Sequence, residues 1–184
     1  MTNINPASFI GGSKGEWKVT RMETITGEPL LPIACVQIHP AHMVSEKAGW
    51  ILRGTNNHTR YSKRIEVDAM KQRQEGLGRA HATHAALIPI RKNAAWWGMA
   101  QDERRRIFEE ESQHIAMSME YLPAIARRLY HSRDLGEPFD FLTWFEFSPE
   151  HEAAFDTLVA KLRASREWEF VDREIDIRLM KNES

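Results

Sequence analysis

Four side chains in the second half of this chain have types and settings that could do chemistry together. They are His114 in EEESQHIAMSMEY, Arg127 in PAIARRLYH, Glu167 in SREWEF and Lys92 closing AALIPIRK. A neutral imidazole ligates transition metals and leaves the opposite coordination position open. A guanidinium stays charged at any working pH and offers several donors, so it can bind an oxyanion without entering proton chemistry. Taken singly, each residue has a plainer interpretation. His114 reads as a partly buried structural histidine, Arg127 beside Arg128 as a solvated helix residue, Glu167 as a solvated glutamate at a strand start and Lys92 as a surface lysine. The other histidines (His39, His42, His58, His81, His84, His131 and His151) share no ligand spacing of the His-Glu-x-x-His kind, and there is no Gly-rich phosphate loop.

The elements that must position these groups can be sketched from periodicity. Residues 1–15 are small, polar and Gly-rich and read as a loose lead-in. WKVTRMETITGEPLLPIACVQIHP predicts two strands of a hairpin around a Gly27–Pro29 turn, and WILRGTNNHTRY a further strand. Ser62 to Gln74 predicts a helix with Ile65, Ala69 and Met70 on one side, stopped by Gly76 and Gly78. AALIPIRKN predicts a strand with Ile88, Ile90 and Lys92 on one face and Leu87, Pro89 and Arg91 on the other.

A helix is then expected from an Asp102 N-cap to about Tyr121, broken at Pro123, with a second short helix carrying Arg127 to His131. Its apolar residues fall in two stripes, Phe108, Ile115, Met119 and Leu122, and Ile107, His114, Met117 and Tyr121, which predicts contacts on two sides. His114 and Arg127 would lie on separate faces of one straight helix, so the break is needed to turn both toward a common site. FDFLTWFEF alternates, with Phe139, Phe141, Thr143, Phe145 and Phe147 on one side. A helix follows from Ser148 or Pro149 with Ala153, Phe155, Leu158, Val159 and Leu162 inward, and EFVDREIDIRL closes as a strand. If strand register extends back to Glu167, it shares the parity of Val171, Ile175 and Ile177 and points inward. The order from residue 85 onward suits an α+β sandwich, helices over an antiparallel sheet.

Composition narrows the classes of function. The 184 residues carry 25 basic and 26 acidic side chains, so no global field draws the chain to nucleic acid or an anionic membrane, and any anion must be attracted locally. The single cysteine, Cys35, rules out an internal disulfide. No signal-like start or membrane-length apolar run is present, which makes a cytoplasmic location the expectation.

The stretch from AALIPIRKNAAWW (residues 85–97) to RRRIFEEESQHIAMSMEYLPAIARRLYHSRDLGEPFDFLTWFEF (residues 104–147) resembles the haem-binding half of the chlorite dismutases, in particular their short subgroup. Residues before about 50 carry little of this signal. The resemblance implies a ferredoxin-like haem-binding half over residues 85–184, joined to a degenerate, truncated N-terminal half over residues 1–84. Together they form a dimeric α+β barrel fold. It implies that His114 is the axial ligand of haem iron, Glu167 its carboxylate partner and Arg127 the distal arginine. Lys92 pairs with Glu167 or a propionate, and Leu129, Thr143 and Phe145 line the distal pocket. Trp96 and Trp97 edge the haem or a subunit contact, with Asn57 and Tyr61 as propionate donors; core or interface packing serves these four equally well. Lacking a Cys-x-x-Cys-His attachment, the haem would be non-covalent haem b. The implied reaction converts chlorite to chloride and dioxygen, in a homodimer, with Arg127 retaining hypochlorite until the O–O bond forms.

Other readings stand beside this one. A coprohaem decarboxylase, which makes haem by oxidising propionates, belongs to a longer group without the distal arginine. A dye-decolorising peroxidase needs a distal acid and a much longer chain. A haem carrier or sensor would need His114 but not Arg127, and a small interaction module would need neither.

Overall fold

The computed structural model describes residues 5–56 and 62–182. Eight antiparallel strands close into a barrel: β1 Asn5–Gly12, β2 Trp17–Thr26, β3 Cys35–His39, β4 Trp50–Asn56, β5 His84–Lys92, β6 Ala126–His131, β7 Phe141–Phe147 and β8 Val171–Lys181. Around the barrel the order is β1-β3-β2-β8-β5-β7-β6-β4. The first four strands form one arc (β4-β1-β3-β2) and the last four another (β8-β5-β7-β6). Numbered within its own arc, each runs 4-1-3-2. This is the antiparallel ferredoxin-like α+β architecture, with helices between strands only in the later arc. There α2 (Ala94–Gly98), α3 (Gln101–Arg105) and α4 (His114–Met119) join β5 to β6, and α5 (Glu152–Arg163) joins β7 to β8; α1 (Arg64–Arg73) bridges the arcs.

The barrel fills with side chains from all eight strands, among them Phe9, Trp17, Val36, Leu52, Leu87, Tyr130, Trp144 and Ile177, all buried. Edge-to-face pairs at 5.3 Å (Phe9–Tyr130) and 5.2 Å (Trp17–Trp144) lock this core, so it is solid rather than a channel. Alternation sends the intervening residues of the later arc outward. Ala86, Ile88, Ile90, Phe141, Phe145 and Phe147 form a second apolar layer with Phe155, Leu158, Val159 and Leu162 of α5. The functional cavity lies on this outer face.

Several expectations are corrected. Residues 5–12 are strand β1, not a lead-in; the small residues mislead because Gly11 is where the Trp50 ring lies, and a Cβ there would sit 2.4 Å from that ring. The β2–β3 hairpin is real but pairs only at Trp17↔Val36 and Lys18↔Cys35, since β2 spends most of its length on β8. Helix α1 forms as expected, but Ile65 is 75% exposed. Phe139 packs inside the barrel, whereas Phe141, Phe145 and Phe147 face out, so the alternation holds only from Phe141.

The expected long helix ending near Tyr121 is divided. Its N-cap is Ala100, it widens to a π-helical turn over Arg106–Glu111, and it breaks at Gln113, the only non-glycine with positive φ (51°) among the described residues. Residues Ala126–His131 are strand β6 rather than a helix. Pairing with β7 across Arg127↔Phe145 and Leu129↔Thr143 overrides the helix propensity of Ala, Arg and Leu.

Candidate active site

Strand register assembles most of one wall. Arg127 lies opposite Phe145, which lies opposite Ala86; one step along, Leu129, Thr143 and Ile88 form the next rung. Phe141 and Ile90 form a third. All of these side chains but Ala86, with Lys92, line a cavity of about 780 Å³ closed by Phe108, His114 and Ile115 on one side and by Val67 and Met70 of α1 and its C-cap Gln74 on another. The volume falls within the range of cofactor sites.

His114 is the first residue of α4, set by the local backbone. The left-handed Gln113 ends the π-helical turn, and the Glu109 carboxylate accepts the Ile115 and Ala116 N–H groups at 2.6 and 3.2 Å. The Ser118 hydroxyl donates to the His114 carbonyl at 2.7 Å. The imidazole stacks on Phe108 with 4.4 Å between centroids. Its Nδ1 is 2.6 Å from Glu167 Oε2, and Lys92 Nζ donates to Glu167 Oε1 at 2.7 Å.

Glu167 and Lys92 are almost fully enclosed, with side-chain exposures of 4% and 1%. Burial alone would raise the Glu167 carboxyl, but the adjacent His114 and Lys92 outweigh it and hold its pKa at about 2. Burial pushes the Lys92 ammonium below the usual lysine value, opposed by Glu167. The ammonium also sits 4.3 Å from the Trp96 ring centroid. A charged carboxylate only accepts, so Nδ1 must carry the hydrogen, and the neutral tautomer keeps its lone pair on Nε2. That nitrogen is the one left for a metal.

Glu167 points inward, though not through strand parity. It lies in a 3₁₀ turn, Arg166–Phe170, before β8 begins, and its backbone N–H donates to the Ser112 hydroxyl at 2.8 Å.

Arg127 is half-buried and lines the cavity. Its Nη2 touches Met70 Sδ at 3.3 Å, and its backbone carbonyl accepts from Gln74 Nε2 at 2.7 Å. Its Nε is buried without a hydrogen-bond partner among the described residues. Burial lowers its pKa, but a guanidinium starts far above neutrality and stays charged. A cation with a buried, unmet donor is a place for an anion.

The structure thus brings His114, Glu167, Lys92, Arg127, Leu129, Thr143, Phe145 and Trp96 to one cavity. Trp97 is outside its lining: it stacks on Phe141, donates to Asp140 Oδ2 at 3.0 Å and lies under Arg133. Asn57 and Tyr61 lie outside the described residues. Sequence reasoning missed the cavity roles of Met70 and Gln74, and Ser112, Trp168 and Glu174. Trp168 stacks 6.4 Å from His114 and donates to the buried Glu174 at 2.8 Å. Only Trp168 left a signal, as the neighbour of Glu167.

Among the described residues no group of three or more His, Cys, Asp or Glu side chains could hold a metal ion. Among the described residues His114 is thus a lone metal-binding imidazole, which suits a metal that would bring its other ligands with it. An apolar cavity with one imidazole on its wall fits haem.

The chlorite dismutase family model matches residues 41–181. A chlorite dismutase of Ideonella dechloratans is 35% identical over 78 residues, a match spanning 42% of this chain and 25% of that one, so a quarter of that enzyme's length is matched. The dimeric chlorite dismutase structure from Nitrobacter winogradskyi is 54% identical, with a TM-score of 0.90 over 96% of this chain and 99% of that one. A Candidatus Nitrospira defluvii chlorite dismutase in complex with imidazole, 19% identical, shares the fold with a TM-score of 0.69 over 98% and 92% of the two chains. A match over most of the sequence, with a site whose residues suit it, places the chain in the chlorite dismutase family.

Proposed function

We propose that this protein is a haem b enzyme that decomposes chlorite to chloride and dioxygen. The observation that carries the reading is Arg127, a cation in the wall of the His114 cavity with a buried donor unmet by the described residues. A haem carrier needs the histidine but has no use for such a cation. Reading the N-terminal arc (1–84) as a degenerate copy of the haem-binding half (85–184) rests on their shared strand order.

His114 would hold the iron through Nε2, while Glu167 fixes the ring by accepting from Nδ1 and Lys92 keeps Glu167 ionised. Trp96 walls the cofactor. Haem, when bound, would supply the redox chemistry for oxygen-atom transfer. Arg127 attracts chlorite, orients it and retains the hypochlorite left when one oxygen is removed. Leu129, Thr143 and Phe145 shape the space around the guanidinium and limit water. The overall conversion of chlorite to chloride and dioxygen balances with no external electrons or protons.

A homodimer is proposed from the dimeric Nitrobacter winogradskyi relative, with detoxification in the cytoplasm as the proposed role. No helix among the described residues is long and apolar enough to cross a membrane. Haem titration followed by chlorite addition at an oxygen electrode tests the reading. A Soret band with prompt dioxygen release supports it; a Soret band without dioxygen would leave a haem carrier or sensor.

A further inference from the structure

We propose that Met70 is a built-in oxidation site whose conversion to the sulfoxide disables the anion site of Arg127. The idea rests on the proposed activity, because hypochlorite is the oxidant it names.

Met70 Sδ lies 3.3 Å from Arg127 Nη2, and both side chains line the cavity. A thioether is a weak acceptor, so this bond leaves the guanidinium free to prefer an oxyanion. An anion bound there stands beside a nucleophilic sulfur. Hypochlorite can transfer its oxygen to that sulfur: an S–O bond forms, the O–Cl bond breaks, and chloride leaves with the bonding pair. Sulfur is oxidised by two electrons and chlorine reduced by two, with no net proton. The product carries a strong acceptor within reach of Arg127. The guanidinium would then be held in a charge-assisted hydrogen bond that competes with the substrate anion.

Placement separates this from general damage. Met70, on α1, is partly enclosed, whereas Met180, on β8, is 41% exposed. Bulk oxidation should follow exposure and reach Met180 first. Oxidation guided by Arg127 should reverse that order, because a charge-assisted contact enriches a bound anion about tenfold or more.

The test adds limiting hypochlorite directly to the haem-loaded protein, without chlorite, and weighs the methionine peptides after digestion. Met70 is expected to gain one oxygen atom about tenfold faster than Met180. The lead should survive in Arg127→Lys, which keeps the charge, and vanish in Arg127→Ala. The oxidised protein should show an apparent KM for chlorite about tenfold higher, restored by methionine sulfoxide reductases acting on both epimers. Met180 oxidising first in wild type, or a lead unchanged in Arg127→Ala, would overturn the proposal. Because hypochlorite is supplied directly, the peptide result does not depend on turnover. Failure to make dioxygen from chlorite would remove the proposed activity and leave the Met70 result standing. A missing lead in protein that does make dioxygen would remove the role of Met70 alone.

Discussion

Glu167→Gln gives the sharpest test of how the site is built. Glu167 receives Lys92 Nζ at 2.7 Å on one oxygen and His114 Nδ1 at 2.6 Å on the other, with both carboxylate and ammonium enclosed. Glutamine keeps the shape but offers one acceptor oxygen to two donors, and it strips the counter-charge from Lys92. Removing one member of a buried ion pair costs about 3–5 kcal/mol, because the remaining charge is left uncompensated. Against a total stability of roughly 5–15 kcal/mol this is large but survivable. In urea, the midpoint of the haem-free protein should fall by roughly 1–3 M. Lys92→Met should cost less, since Glu167 would keep His114 and the Ser112 contact to its backbone. The double variant should recover part of the loss, as coupled neighbours do. The amide no longer fixes the hydrogen on Nδ1, so haem affinity should fall about 10–100-fold. The haem that does bind should have a raised reduction potential, because its imidazole is less electron-donating. A urea midpoint equal to wild type, or strictly additive losses, would refute the paired arrangement.

His114→Ala should stay folded but lose the Soret band on gel filtration, since it removes the proposed protein bond to iron; a retained wild-type spectrum would assign the ligand elsewhere. Arg127→Ala should bind haem normally yet leak hypochlorite, with retention about ten to a hundredfold poorer. It should inactivate earlier than wild type and be protected more by added methionine, and equal total turnover in both would rule out a retaining role. Glu66 ties α1 over the cavity through Arg105, at 2.5 and 2.8 Å, and that bond holds its carboxyl below the ordinary value. A depressed pKa stabilises above the unfolded value and is lost as pH falls through the folded one. Hydrogen-exchange protection of residues 64–73 should therefore be full above about pH 4.5 and decline below it, while Glu66→Gln should be loosened already at neutral pH. Equal protection in the two proteins would show that the tie does not hold α1.

The later arc was legible because its strands face two different apolar layers and its alternation is clean. Ile88, Ile90 and Lys92 against Leu87 could be assigned from spacing alone. Strand β6 was not legible, because ARRLYH is rich in helix formers and becomes a strand only through β7. Glu167 was expected inward by an unbroken strand register, yet its burial comes from a 3₁₀ turn and from Ser112, fifty-five positions away. The break before His114 has no proline or glycine to announce it; Gln113 adopts the left-handed conformation within a π-helical context. Met70 and Gln74 were invisible as site residues because only the closed barrel brings α1 across to β6.

Central to the account is the claim that both atoms of the dioxygen come from one chlorite held between His114-bound haem and Arg127. Chlorite labelled in its oxygens, mixed with haem-loaded protein in unlabelled water and followed by mass spectrometry of the gas, tests it most directly. The account predicts doubly labelled dioxygen, equimolar with the chlorite consumed. Singly labelled or unlabelled dioxygen, or chloride without dioxygen, would contradict it.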